Sequence, residues 1–286
     1  VVPFIDWGPF FQTWDLAGPY PAILQDEVVG EQARQVFADA QALLKRIVDG
    51  RWLTANAVVG LYPAQRVGDD DIALYTDETR QTTAMTWHGL RQQTEKQMME
   101  GVMRPSRCLA DFVATPEQGA DYVGMFAVTA GIGADARANG YEAAQDDYNA
   151  IMIKALADRL AEAMAEMMHQ RVRTDWWGYA SGEQLSSDEL IKEAYQGIRP
   201  APGYPACPDH SAKRAMFEVL QAGDVGMALT DSLAMTPAAS VSGFYLAHPD
   251  ATYFNVGKIG EDQVRDVAQR SGVDEQRVKV FLGPNL

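Results

Sequence analysis

Twelve residues, Arg199 to His210 (RPAPGYPACPDH), constrain this chain more than any other stretch. Pro200, Pro202, Pro205 and Pro208 fix φ and remove four backbone donors, so neither a helix nor a central strand can run through them. Each residue ahead of a proline is also driven toward an extended conformation. The spacing predicts a stiff, extended loop that loses little entropy when it meets a ligand. Gly203 lets the backbone approach something closely. Arg199 offers a planar fork suited to a carboxylate, and Tyr204 a flat face with a polar tip. A rigid surface connector is the plainer reading of such a loop; the density of specialised side chains favours a binding site.

Ahead of the loop, residues 1–24 carry Phe4, Ile5, Trp7, Phe10, Phe11, Trp14 and Leu16 around a lone acid, Asp6. That aromatic density predicts a segment docked on the core. Asp6 reads either as a helix cap or as a carboxylate aimed at a cation. Apolar residues at helical spacing predict a helix from Asp26 to Asp49, stopped by Gly50. Strands are expected at Ala57–Tyr62, ended by Pro63, and at Ile72–Tyr75, Cys108–Ala114 and Tyr122–Ala130. Arg91–Lys96 reads as a polar helical turn.

Gly131, Gly133 and Ala136 spell G-x-G-x-x-A after that last strand. A dinucleotide-binding unit would continue into a second strand ending in an acid about 20 residues on. A helical pattern from Asp135 to about Arg173 follows instead. Its acids Asp158, Glu162 and Glu166 are spaced by four, which without other evidence reads as a solvated face. Ser186 and Glu189 make a capping box for a helix over 188–195, which leads into Arg199. Beyond the loop come a helix over 211–221, strands at Met227–Ser232 and Ser240–Ala247, and closing helices at Glu261–Arg270 and Asp274–Leu282. Strands and helices mix without a βαβ period, which predicts an α+β class. No repeat, linker or boundary breaks the sequence, so one domain over 1–286 is expected, cut from something larger because the chain opens on Val1.

The net charge of -15 argues against nucleic acid, which needs a basic footprint. Arg171 with Arg173, and Lys213 with Arg214, are the candidates for a local basic patch. Two distant cysteines, Cys108 and Cys207, exclude a disulfide framework and fit a reducing, cytoplasmic compartment. No apolar run approaches the ~18 residues of a membrane span. There is no G-x-S-x-G, P-loop or H-E-x-x-H, and the four histidines are scattered. Cys207 and His210 are separated by Pro208 and lack a third group to orient the histidine, which argues against a nucleophile pair. No metal site and no catalytic acid or base emerges.

Six long strings occur in order: IDWGPFFQTWDLAG from Ile5, LRQQTEK from Leu90, CLADFV from Cys108, KALADRLAEA from Lys154, ELIKEAYQGIRPAPGYPACPDH from Glu189 and SVSGFYLAHPD from Ser240. With the closing LGPNL, they make the whole chain resemble the C-terminal activation domain of cobalamin-dependent methionine synthase. The resemblance implies a module of a methyltransferase that binds S-adenosylmethionine and supports reductive remethylation of cob(II)alamin to methylcobalamin. Flavodoxin or an equivalent reductase would supply the electron. The cobalamin would ride on a neighbouring domain, and zinc would belong only to another domain. The full enzyme moves a methyl group from 5-methyltetrahydrofolate to homocysteine; this chain alone is not expected to turn over. The implied fold is a single curved domain, with a long antiparallel sheet flanked by helices and the ligand in a shallow groove.

The family's R-x-x-x-G-Y motif falls on Arg199, Gly203 and Tyr204. By that match Arg199 holds the methionine carboxylate, and backbone at Ala201 and Gly203 meets the adenosyl portion. Asp6 takes the position that meets the amino group. Glu162 and Glu193 match acids near the site, and Tyr253 a ligand-contacting tyrosine. Phe254 stands where the family often has Tyr. Met235, Pro237 and Ala239 match the surface facing the corrin ring, with Thr236 where other members have Trp. Two other hypotheses remain: a module that docks the cobalamin domain or flavodoxin without using the ligand, and a dinucleotide-dependent oxidoreductase resting on Gly131–Ala136. A local basic patch is expected at the docking surface, with Lys213 and Arg214 as its location.

Overall fold

A computed structural model describes residues 1–96, 98–99 and 101–286. The chain opens with α1 (Gly8–Gln12), α2 (Gly30–Asp49) and the strands β1 (Thr54–Val67), β2 (Asp71–Tyr75) and β3 (Thr83–His88). A small hairpin, β4 (Met98–Met99) and β5 (Val102–Met103), precedes β6 (Asp121–Ile132). Then come α3 (Ala134–Ala143), α4 (Asp147–Arg171), α5 (Ser187–Ile191) and α6 (Ala212–Leu220). A second hairpin, β7 (Ala228–Leu229) with β8 (Met235–Thr236), leads into β9 (Ser240–Tyr245), α7 (Glu261–Ser271) and α8 (Glu275–Phe281).

Five strands form one antiparallel sheet in the order β3-β2-β1-β6-β9, as the α+β reading expected. Side chains alternate across β6 because a strand has period two. Val123, Met125 and Ala127 face a core that includes Met216 and Phe217 of α6. Phe126 and Val128 face Met164, Ala165, Met168 and Val172 on the opposite side. That second layer is α4, which lies across β6 and β9 and carries the site. Its far side packs on α1 and α2, where Phe10, Phe11, Leu43 and Leu156 are buried together. Burying each such side chain contributes roughly 1.5–3 kcal/mol.

Several elements differ from the sequence reading for identifiable reasons. β1 continues through Pro63 to Val67, because the β1–β2 ladder begins only at Ala64 and the missing Pro63 N–H costs no bond there. Cys108–Ala114 is not a strand: Asp111 accepts the Cys108 N–H, is gripped by Arg91 at 2.7 Å, and closes a short 3-10 turn, Leu109–Phe112. Arg91 itself lies in an irregular segment, so 91–96 forms no helical turn. The long helical pattern breaks at Gln145 (φ 58°), after which Asp146 caps α4 through Asn149. Met227–Ser232 contributes only the two residues of β7.

The glycine string after β6 serves packing. A Cβ on Gly131 would lie 2.7 Å from Pro237 Cβ, and one on Gly133 (φ 94°) 2.7 Å from the Trp52 carbonyl oxygen. β6 is antiparallel to both neighbours, so no parallel βαβ unit exists for a dinucleotide to use. Neither basic patch forms as expected. Lys213 is buried, donating to the Leu233 carbonyl at 3.0 Å, and Arg173 is wholly buried. Among the described residues, no helix is long and apolar enough to cross a membrane.

Candidate functional site

The proline-rich stretch lies beside β9 as an irregular extra strand. Ile198 exchanges two backbone hydrogen bonds with Leu246, and the Pro200 carbonyl accepts the Phe244 N–H at 2.9 Å. Gly243 allows that approach, since a Cβ there would sit 2.6 Å from the Pro200 oxygen. The chain then turns tightly: Gly203 N–H donates to the Cys207 carbonyl at 2.7 Å, and Cys207 N–H to the Tyr204 carbonyl at 2.9 Å. Gly203 has φ 98°, and a Cβ on it would collide with the His210 ring. The group closely approached at Gly203 is thus a histidine of the same loop. Burial pushes the Cys207 thiol up to about 12, which leaves no nucleophile pair with His210.

Between this loop, α4 and the N-terminal segment runs a groove with two unlike ends. The polar end, about 280 Å³, is walled by Ile5 and Asp6, by Arg159, Glu162 and Glu166 of α4, and by Glu193 and Arg199. The less polar end, about 530 Å³, is floored by Phe126 and Val241 of the sheet and walled by Ala201, Tyr204, Tyr253 and Phe254. Glu162, Glu193 and Arg199 border both ends, so the two spaces meet at one guanidinium and two carboxylates. The larger space is in the range of small-ligand sites and the smaller lies just below it.

Each polar group is held by local chemistry. Asp6 Oδ1 accepts the Gly8 N–H at 2.9 Å from one residue ahead of the N-cap position, Trp7, so the residue braces the entry to α1 and lines the groove. Glu193 follows α5 in the left-handed conformation that often ends helices (φ 54°). Partial burial pushes its carboxyl above the usual range; Arg199 opposes the rise and Glu166 adds to it. The Arg199 N–H donates to the Tyr253 hydroxyl at 3.0 Å, which fixes that ring at the groove's edge.

Of the side chains that line the groove, Arg199 has the polar contacts that matter most here. Its Nη2 donates to Glu166 Oε2 at 2.8 Å; its Nη1 donates to the Tyr195 hydroxyl at 2.8 Å and faces His169 Nδ1 at 3.1 Å. A guanidinium carries five N–H bonds. Among the described residues three are spent, leaving the Nε–H and one Nη2–H for the groove. Burial is the largest single influence and would lower the Arg199 pKa, but Glu166, Tyr195 and Tyr253 together outweigh it and hold the group charged. Behind lies a second layer. Arg173, wholly buried on a π-helical turn after α4, makes a two-point bond to Glu183 with both distances at 2.7 Å. Its guanidinium carbon stands 3.9 Å over the Tyr195 ring, and its Nη1 is 3.9 Å from Glu166 Oε1.

Of the residues singled out from the sequence, Asp6, Glu162, Glu193, Arg199, Ala201, Tyr204, Tyr253 and Phe254 border this groove. Gly203 sits behind its wall. Met235, Pro237 and Ala239 do not line it: Met235 is in β8, and Pro237 and Ala239 are on the turn from β8 into β9. Sequence reasoning passed over Glu166, His169, Arg173 and Tyr195. Glu166 in particular is not on a solvated face: it is 8% exposed. The available signal was its spacing from His169 and Arg173, i+3 and i+7, which puts three polar groups on one buried helical face. Among the described residues no group of three or more His, Cys, Asp or Glu is placed to hold a metal ion.

Comparison with known proteins bears on this groove. Residues 1–272 match the family described as vitamin B12 dependent methionine synthase, activation domain. The chain is also similar to a crystal structure of the MetH reactivation domain bound to AdoHcy, at 54% sequence identity and a TM-score of 0.95. That match covers 100% of this chain and 86% of the other. With the family match spanning nearly the whole sequence, the chain belongs to the activation domain family of vitamin B12 dependent methionine synthase.

Proposed function

We propose that this chain binds S-adenosylmethionine in the groove and supports the reductive remethylation of cobalamin in a methionine synthase. The observation that carries this reading is the free Nε and Nη2 edge of Arg199 at the junction of the polar and less polar ends. A ligand with a zwitterionic amino acid at one end and an aromatic base at the other matches that division. Arg199 takes the ligand carboxylate through two charge-assisted hydrogen bonds, and the uncommitted Oδ2 of Asp6 takes the ammonium. Glu162 and Glu193 set negative charge where the ends meet, which suits a sulfonium. The adenosyl portion lies along Ala201 and among Tyr204, Tyr253 and Phe254, while Gly203 shapes the turn that presents them. The relative solved with AdoHcy bound supports this choice of ligand.

No general base is needed, because the methyl group leaves a neutral thioether. The protein's task is to hold the methyl carbon in line for attack, which is positioning work. Cobalamin on a neighbouring domain would supply the nucleophilic cobalt, with an electron from flavodoxin or an equivalent reductase. The uncharged segment through Met235, Pro237 and Ala239 is the surface we assign to the corrin face. The test is calorimetric titration of S-adenosylmethionine into this chain and into Arg199→Ala, with thermal melts checking that both are folded. Saturable binding is expected, weakened about 30-fold (~2 kcal/mol) in the variant. Absence of binding to the unmodified chain would refute the reading and leave a docking module.

A further inference from the structure

His169 stands behind Arg199, and the groove reading gives it no role. It is wholly buried at the far end of α4. Its ring stacks on Tyr245, with centroids 5.1 Å apart and planes 15° apart, and meets the edge of Tyr195 at 4.9 Å. Its one polar contact among the described residues is Nδ1 to Arg199 Nη1, because Nε2 is buried without a partner. A leucine would fill the same space without the cost of an unpartnered Nε2–H. The Arg199 contact is therefore what distinguishes an imidazole from an apolar filler.

The protonation state follows from the partner. A guanidinium only donates hydrogen bonds, so Nδ1 must accept and the ring proton sits on Nε2. A protonated ring would turn an Nδ1–H toward an Nη1–H, like charge against like. We propose that His169 is a positioning residue: as the neutral Nε2–H tautomer it accepts an Nη1–H of Arg199 and turns that guanidinium's free edge toward the groove. The proposal rests on the reading that Arg199 receives the ligand carboxylate. Glu166 alone, bonded to one nitrogen, would leave the guanidinium free to pivot. Glu166, Tyr195 and His169 together define its plane, and Arg173 behind Tyr195 backs one of those three contacts. A two-point bond needs that plane, since its geometry is set by the planar fork.

The test compares His169→Leu and His169→Asn with the unmodified chain. Asparagine retains an acceptor near the Nδ1 position; leucine does not. Titration with S-adenosylmethionine is paired with titration of 5′-methylthioadenosine, which lacks the amino acid end. His169→Leu is expected to weaken S-adenosylmethionine about tenfold or more and methylthioadenosine less than about twofold, with asparagine recovering most of the loss. Equal losses for both ligands would mark a merely structural residue and overturn the proposal. So would a leucine variant that binds normally, or an asparagine variant no better than leucine. Failure of the unmodified chain to bind S-adenosylmethionine would instead remove the site reading itself, before any variant is considered.

Discussion

The neutrality of His169 has a measurable effect on stability. Burial first, then the Arg199 and Arg173 guanidiniums, drive its pKa well below the ordinary value of 6.5. In the unfolded chain the imidazole takes a proton below about pH 6.5; in the folded chain it does not. The unfolded state therefore binds more protons on the acid side, and stability must fall as pH drops through 6.5. Above that pH both states are neutral at this site and the contribution is flat. With the folded pKa well below that value, the loss begins as the unfolded imidazole titrates and grows as the pH falls further below 6.5.

His169→Asn isolates this group, because asparagine does not titrate while His210 and the carboxylates still do. Urea unfolding of both proteins at pH 7.5 and 5.5 gives four free energies. The variant starts out less stable at pH 7.5, and the gap should narrow measurably at pH 5.5. Parallel pH dependences would mean that the histidine titrates alike in folded and unfolded chains. That result would refute a neutral ring held against a guanidinium.

Two further outcomes follow from the same region. Glu183→Gln should destabilise the fold by about 3–5 kcal/mol, because it removes the two-point carboxylate partner of Arg173, which has no exposed surface, and leaves only the looser contact with Glu166 at 3.9 Å; Arg173→Met in the same background should recover much of the loss in urea unfolding, and no recovery would show that the pair is not the cause. Gly203→Ala should cost about 1–3 kcal/mol, since φ is 98° and the new methyl meets the His210 ring. A Gly203→Ala protein that melts at the unmodified temperature would mean that the turn relaxes without strain.

Much of the fold was legible because it rests on local periodicity. The apolar positions of α2 repeat at helical spacing, and Val123, Met125 and Ala127 alternate with Phe126 and Val128 along β6. What was not legible depended on distant partners. The run Cys108–Ala114 has the composition of a strand, yet Arg91, some 20 residues earlier, takes Asp111 and bends it into a turn. Pro63 would end a central strand, but it falls just before β2 begins to pair. Neither fact is visible in a window of ten residues. The glycines after β6 match a phosphate-binding string in spacing alone; the chain direction of the neighbouring strands decides what they do.

The acids of α4 show the same limit at the site. Glu162 and Glu166 stand one turn apart, and an i, i+4 pair of acids looks alike whether the helix faces water or another charge. A buried carboxylate without a cation is too costly to persist, so burial of this face requires cations within reach. Arg173 supplies one from seven residues on, and Arg199 the other from a separate segment. Only the first follows on from the same helix, and from sequence it was grouped with Arg171, two residues away, as a candidate basic patch. The proline-rich loop was conspicuous because proline restricts the chain whatever surrounds it. The residues that hold its arginine were not, because their meaning comes from that arginine. A groove built this way is legible at the rigid half and silent at the half that orients it.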